Sequence, residues 1–205
     1  MQRNDREFFN ALAESWDTTR AHDSARLREL TARTGIGPGD TVLDIGCGTG
    51  VLIPFLRERV GDSGCVLGID IADNMVELAA HKLARFDNVA IRRADIMEFA
   101  TDCQFQHVTC LNFFPHIQDR PAFLRKAIEE WLAPGGFLHV FHDISRAQVN
   151  AIHGESKTVK EDRLPPCEEV GELFRAAGFV LEACFETDES YFVRGRKPSE
   201  TSERL

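Results

Sequence analysis

The residue pattern with the clearest chemical meaning is a run of glycines beside a carboxylate. Residues 42–50 read Val-Leu-Asp-Ile-Gly-Cys-Gly-Thr-Gly, which puts Asp44 just ahead of Gly46, Cys47, Gly48 and Gly50. Glycines supply positive φ and let a ligand touch the backbone. At the first strand-to-helix turn of a doubly wound sheet, that is where a nucleotide-like ligand lies. Asp70 ends a second apolar run, 22 residues after Gly48. A carboxylate there can accept hydrogen bonds from both hydroxyls of a ribose. A dinucleotide fingerprint starting at Gly46 needs Gly or Ala at position 51, and that position is Val. Asp44 would also repel a pyrophosphate, whereas a sulfonium ligand carrying an ammonium group would be drawn to it.

More candidates follow the glycine turn. Asn112-Phe113-Phe114-Pro115-His116 comes after a fourth apolar run, and its imidazole is of a type that serves as a base near neutral pH. His142-Asp143 closes a fifth run. Arg146, Asn150 and His153 recur at spacings of four and three, one face of a short helix, with Val149 and Ile152 pointing inward. That face is either solvated or lines an acceptor site, with Arg146 holding an anionic or carbonyl group. Together His116, His142, Arg146 and His153 form the catalytic candidates. His142, Asp143 and His153, joined by His116, are also plausible ligands for a first-row metal, but no spacing forces them together and no metal site is assigned. The long charged stretch 154–166 reads as a lid. With Phe8, Phe9 and Trp16 near the N-terminus, it could close over an apolar acceptor beside Phe113 and Phe114.

The elements that must position these groups alternate in type. Apolar runs at 41–45, 65–70, 89–92, 107–112 and 137–141 read as buried strands. Helices are expected at 49–60, at 74–85 with Asp73 as N-cap, and at 119–131 with Asp119 as cap and Pro121 in the first turn. Pro134-Gly135-Gly136 turns the chain into the fifth strand. A short helix at 146–153, another at 167–177, and strands at 179–185 and 190–194 complete the chain. Alternating β and α with apolar strands implies an α/β, doubly wound, mostly parallel sheet with helices on both faces. The last two strands, with no helix between them, suggest an antiparallel hairpin at one edge. Residues 1–40 read as a helical cover in front of a core at 41–197. The whole is a single domain, 1–197, with a flexible tail at 198–205.

Composition narrows the class. The chain has 205 residues, 43% hydrophobic and 28% charged, enough for one domain with a full core. Its formal charge of −9 disfavours nucleic acid as a partner. No apolar stretch is long enough to span a bilayer, and the polar N-terminus does not read as a signal peptide, so no membrane insertion is expected. The six cysteines form no Cys-x-x-Cys pair and read as reduced thiols of a cytoplasmic protein. Oligomeric state is not legible.

These residues resemble the class I S-adenosylmethionine-dependent methyltransferases over about residues 38–142. Val42 to Gly50 is similar to the family's first motif, and Gly68-Ile69-Asp70 to its second. Ala94-Asp95-Ile96 resembles the segment that contacts adenine, and Leu132-Ala133-Pro134-Gly135-Gly136 the turn before strand five. Glu7-Phe8-Phe9 and Ala13-Glu14-Ser15-Trp16-Asp17 look like the cofactor-covering helix of the ubiquinone- and menaquinone-biosynthesis type. One departure is Phe105-Gln106-His107-Val108, where the family often has Asp at the second position.

The resemblance implies a Rossmann-like seven-stranded sheet in the order 3-2-1-4-5-7-6 with the last strand antiparallel. It implies S-adenosylmethionine as cofactor, S-adenosylhomocysteine as product and a small-molecule acceptor methylated by in-line displacement. Cofactor contacts are then expected at Asp44, Gly46, Cys47, Gly48, Gly50, Asp70, Ile71, Asp95, Ile96 and Asn112, and from Trp16. The alternative is a cofactor-binding domain without turnover that acts as a sensor or partner. A nicotinamide enzyme is disfavoured by Val51 and Asp44. A protein or RNA methyltransferase is disfavoured by the charge and by the absence of an Asn-Pro-Pro-aromatic motif after strand four.

Overall fold

A computed structural model describes residues 3–20 and 22–199. Two helices, α1 (Arg3–Thr19) and α2 (Ser24–Arg33), precede the sheet. The α/β core then runs β1 (Thr41–Ile45), α3 (Ile53–Val60), β2 (Cys65–Asp70), α4 (Asp73–Leu83), β3 (Val89–Arg93) and β4 (Phe105–Leu111). It continues with α5 (Arg120–Lys126), β5 (Leu132–His142), α6 (Arg146–Glu155), α7 (Cys167–Ala176), β6 (Val180–Glu186) and β7 (Tyr191–Arg196). The seven strands form one sheet in the order β3-β2-β1-β4-β5-β7-β6. β1 to β5 are parallel to one another, and β7 runs antiparallel to both β5 and β6. The order and the antiparallel strand are those that the resemblance implied.

The sheet is central because both of its faces are apolar. Leu43, Ile45, Val108, Leu138 and Val140 pack in one cluster with Phe123 of α5, Phe174 of α7 and Trp131 just after α5, all three fully buried. Val42, Val66 and Phe141 pack with Leu27 and Leu30 of α2 and with Ile53 and Leu56 of α3 on the other side. Such fully buried parallel strands read as continuous apolar runs rather than alternating ones. Among the described residues, no helix is long and apolar enough to cross a membrane.

Local chemistry explains where several boundaries differ from the sequence reading. The residues after the glycine turn form bends, and α3 starts only at Ile53, with Pro54 in its first turn. Asp73 is not a cap: α4 begins at Asp73 behind Ala72, with no side-chain cap bond. The Asp73 carboxylate instead pairs with Arg6 and Arg93, and Asp70 holds the Ala72 N–H at 2.9 Å. Asp119 does cap α5, accepting from the Ala122 N–H at 2.9 Å. The end of that helix widens into a π-helical turn over Ala127–Trp131. β5 starts earlier than expected, at Leu132, because Leu132 pairs with Phe105 before a bulge resets the register at His107 and Phe137. β7 runs past Arg194 to Arg196, beyond the expected end of the strand. Residues 200–205 of the expected tail lie outside the described residues.

Candidate active site

The glycine turn sits at the C-terminal end of β1, and three interactions fix its shape. Gly46 has φ +65°, and the Phe113 ring lies where a Cβ would project. The Cys47 N–H bonds to the Ile69 carbonyl at 3.0 Å. The Gly48 N–H bonds to Asp70 Oδ2 at 2.9 Å. Asp70 thereby uses one lone pair on each oxygen for backbone N–H groups, Gly48 on one and Ala72 on the other. Each oxygen keeps a second lone pair for a ligand hydroxyl. Burial raises the Asp70 carboxyl above its ordinary range, against the pull of those two bonds.

Asp44 lies beneath the turn, 2% exposed, and accepts a 2.7 Å bond from Thr109 Oγ1. Burial pushes its pKa up to about 7, aided by the charge of Asp70 and opposed by the Thr109 bond. A buried carboxylate with a single hydroxyl partner is a seat for a ligand cation.

These groups open into a shared cavity. Asp44, Gly46, Cys47, Gly48 and Asp70 line its floor. Asn112, Phe113 and His116 line one wall, and Phe9, Trp16, Arg20 and His22 form the cover. The aromatic cover is self-packed: the Phe9 and Trp16 rings meet edge to face at 5.6 Å, and Phe9 meets His116 at 5.3 Å. Polar contacts hold α1 in place, from Asp17 to Thr49 and Lys82 and from Asn10 to Asn74. Ile71, Ala94, Ile96 and Phe113 line an adjoining apolar slot. Asp95 flanks it with Arg93 and Arg6, its carboxylate accepting from the Met97 N–H at 2.9 Å.

The histidines divide into two groups. His116 reaches the cavity, and its Nδ1 is 2.7 Å from Asp162 Oδ2. Gln118 Nε2 donates to the other Asp162 oxygen at 3.2 Å. Those bonds hold the Asp162 carboxyl below its ordinary range despite burial, which alone would raise it. His153 packs behind His116, with ring centroids 5.0 Å apart, and its Nδ1 meets the Asp162 carbonyl. His142 is 1% exposed and does not line the cavity; burial takes its pKa down to about 3, so it is neutral.

The face of α6 turns out to be a tether. Arg146 grips both Glu186 carboxylate oxygens, at 2.9 to 3.1 Å, and is not among the residues lining the cavity. Asn150 exchanges two bonds with the Leu164 backbone, at 3.0 and 2.8 Å. His153 holds the Asp162 carbonyl. Ile152, expected inward, is 46% exposed. The stretch 156–166 is thus tied down, and it delivers Asp162 to His116. Among the described residues, no group of three or more His, Cys, Asp or Glu is arranged to hold a metal ion.

Sequence reasoning missed His22, Arg20, Thr49 and Asp162, and considered Asp143 only as a metal ligand. Asp143 Oδ2 is 2.6 Å from His22 Nδ1, and its Oδ1 accepts from Asn112 Nδ2 at 2.7 Å. These pairs span 121 and 31 residues, and no local pattern could have shown them.

Residues 42–136, from the glycine turn to the start of β5, match a family model described as a methyltransferase domain. In this segment the chain is similar to the class I S-adenosylmethionine-dependent methyltransferases. The chain is 33% identical over 146 residues to a ubiquinone biosynthesis O-methyltransferase of Acinetobacter baumannii (strain AYE). The match takes in 65% of this chain and 58% of the relative, so the chain spans less than two thirds of that protein's length. Its fold matches a methyltransferase solved in complex with the Haloferax volcanii Trm112 methyltransferase activator, with a TM-score of 0.81 and 21% identity. That likeness covers 97% of this chain and 99% of the other. The N-methyltransferase NodS of Bradyrhizobium japonicum WM9, solved with S-adenosyl-L-homocysteine, has a TM-score of 0.73 at 16% identity. That likeness covers 96% of this chain and all of the other.

Proposed function

We propose that this chain transfers the methyl group of S-adenosylmethionine to a small acceptor with an apolar body. The observation that carries the proposal is the single cavity that joins the glycine turn to His116 under the aromatic cover of α1. The residues present suit the cofactor chemically. The outer lone pairs of Asp70 suit the ribose hydroxyls. Ile71, Ile96 and Phe113 suit the adenine ring, with Asp95 at its amino edge. Asp44 suits the ammonium group, beside the buried Asn112 Oδ1, an acceptor with no partner among the described residues. Arg20 also faces the cavity and suits the cofactor carboxylate.

When bound, the cofactor supplies an electrophilic methyl group on a sulfonium. The remaining work belongs to the chain. Phe9, Trp16, Met75 and Leu111 exclude water and hold an apolar acceptor in line with that methyl. His116, oriented by Asp162, is placed to touch the acceptor.

Calorimetric titration with S-adenosylmethionine and S-adenosylhomocysteine, beside an NAD control, tests the cofactor. Assay of S-adenosylhomocysteine release over a panel of catechols, hydroquinones, thiols and amines then tests turnover. Micromolar binding with product release supports the proposal. Binding without release from any acceptor supports a sensor, and binding of NAD alone overturns the reading.

A further inference from the structure

We propose that His22, oriented by Asp143, is the proton acceptor of the reaction, and that the acceptor is a hydroxyl of the phenol class. The inference rests on the methyl-transfer reading above and names the chemistry of its second substrate.

His22 lies in the turn between α1 and α2, with its side chain only 10% exposed, and it lines the cavity. Its Nδ1 is 2.6 Å from Asp143 Oδ2. Asp143 is buried, which favours its neutral form, but bonds from His22 and Asn112 prevail and hold its carboxyl below the ordinary range. A carboxylate only accepts hydrogen bonds, so Nδ1 carries a proton, and in the neutral imidazole the free lone pair is then on Nε2. That Nε2 is buried and has no hydrogen-bond partner among the described residues. A buried acceptor left unpaired is costly, and a ligand hydroxyl aimed at it would remove the cost.

Asp143 also ties this imidazole to the cofactor end of the cavity. Its second oxygen holds Asn112, whose φ of +54° is the only positive value at a non-glycine residue among those described. Strain of this kind at a cavity wall persists where the surroundings fix it and marks functional positions. Here it brings the Asn112 amide and the His22 imidazole onto one carboxylate, within the cavity that Asp44 and Gly46 also line. The charge of His22 couples to the carboxylates of Asp143 and Asp17, and Arg20 lines the same cavity. The walls offered to the rest of the acceptor are aromatic or aliphatic, which suits a phenol ring.

The step balances without another reactant. The hydroxyl proton passes to His22 Nε2 as the oxygen's lone pair forms the bond to the methyl carbon. The carbon–sulfur bond breaks and its electron pair stays on sulfur. The products are a methyl ether, S-adenosylhomocysteine and an imidazolium, which returns its proton to water.

The test uses 4-nitrocatechol, whose phenolate absorbs in the visible, added to protein saturated with S-adenosylhomocysteine at a pH where the free phenol is protonated. Wild type should show the phenolate band on binding. His22→Gln should bind S-adenosylhomocysteine with unchanged affinity by calorimetry and lose the band. In turnover with catechol, His22→Gln should lower kcat by about 10²- to 10⁴-fold, leaving the KM for S-adenosylmethionine in place. His116→Gln is measured in parallel. A band that survives in His22→Gln and vanishes in His116→Gln overturns the proposal and makes His116 the base. Wild type that binds S-adenosylhomocysteine but shows no phenolate overturns the phenol class. Wild type that binds no S-adenosylhomocysteine defeats the methyl-transfer reading itself.

Discussion

Gly48 gives its backbone N–H to Asp70 Oδ2 at 2.9 Å, so the turn after β1 and the acid at the end of β2 form one unit. The same carboxylate holds the Ala72 N–H, which enters α4. Asp70 therefore shapes the cavity floor before any ligand arrives. Asp70→Ala removes the proposed ribose partner and frees both N–H groups. Hydrogen bonds to a charged group contribute about 1.5–3 kcal/mol, so affinity for S-adenosylhomocysteine should fall roughly 10- to 100-fold. Calorimetry on wild type and variant checks this; equal affinity would remove Asp70 from the cofactor site.

Asp44 sets a pH dependence of stability in the ligand-free protein. Burial lifts its carboxyl from an ordinary 3.8 to about 7 in the fold. Between those values the folded state binds more protons than the unfolded one, so stability falls as pH rises from about 4 to 7 and is level above that. Asp44→Asn keeps a partner for Thr109 and removes the charge. Its melting temperature should vary less across that window and exceed wild type at pH 8, with a ceiling on the order of 4 kcal/mol. The same variant should bind the cationic cofactor more weakly. Thermal unfolding at pH 5 and pH 8 decides it.

Gly46 is held to glycine by two independent constraints. Its φ is +65°, and a Cβ would enter the Phe113 ring. Gly46→Ala should cost about 2 kcal/mol or more, from left-handed strain together with displacement of Phe113. Cofactor binding should weaken as well, since Phe113 walls both the main cavity and the adjoining slot. Gly135 also has positive φ, but nothing lies within 4 Å of an added Cβ. Gly135→Ala should therefore lose only the strain. Melting temperatures of the two variants separate clash from strain.

Arg146 provides a contrast. Its guanidinium pairs with Glu186 at 2.9 Å, with side chains 36% and 27% exposed. Solvent-screened pairs contribute little, so Arg146→Ala should change stability by about 1 kcal/mol or less. Acceptor KM should stay in place, because the side chain does not line the cavity. A KM raised tenfold would instead return α6 to the acceptor site.

Elements and motifs that depend on near neighbours were legible in the sequence. Leu43, Asp44 and Ile45 followed by Gly46 and Gly48 announce a buried strand running into a glycine turn, because apolar periodicity and glycine's conformational freedom are local properties. Asp70 was found for the same reason, standing at the end of the next apolar run. The reading of α6 went astray because helical spacing says which residues share a face, and nothing about what that face meets. Arg146, Asn150 and His153 do share one, but its partners are Glu186, Leu164 and Asp162, brought by other segments.

The sequence by itself determined the order of elements, the class of sheet and the glycine turn, since each follows from a repeating pattern or a short motif. Only the tertiary structure decided which carboxylate meets which histidine. His22 and Asp143 are separated by 121 positions, as His116 and Asp162 are by 46. Each pair exists because packing of α1, α6 and the 156–166 stretch against the sheet brings distant side chains within hydrogen-bond reach, and burial then makes those contacts strong enough to fix where protons sit.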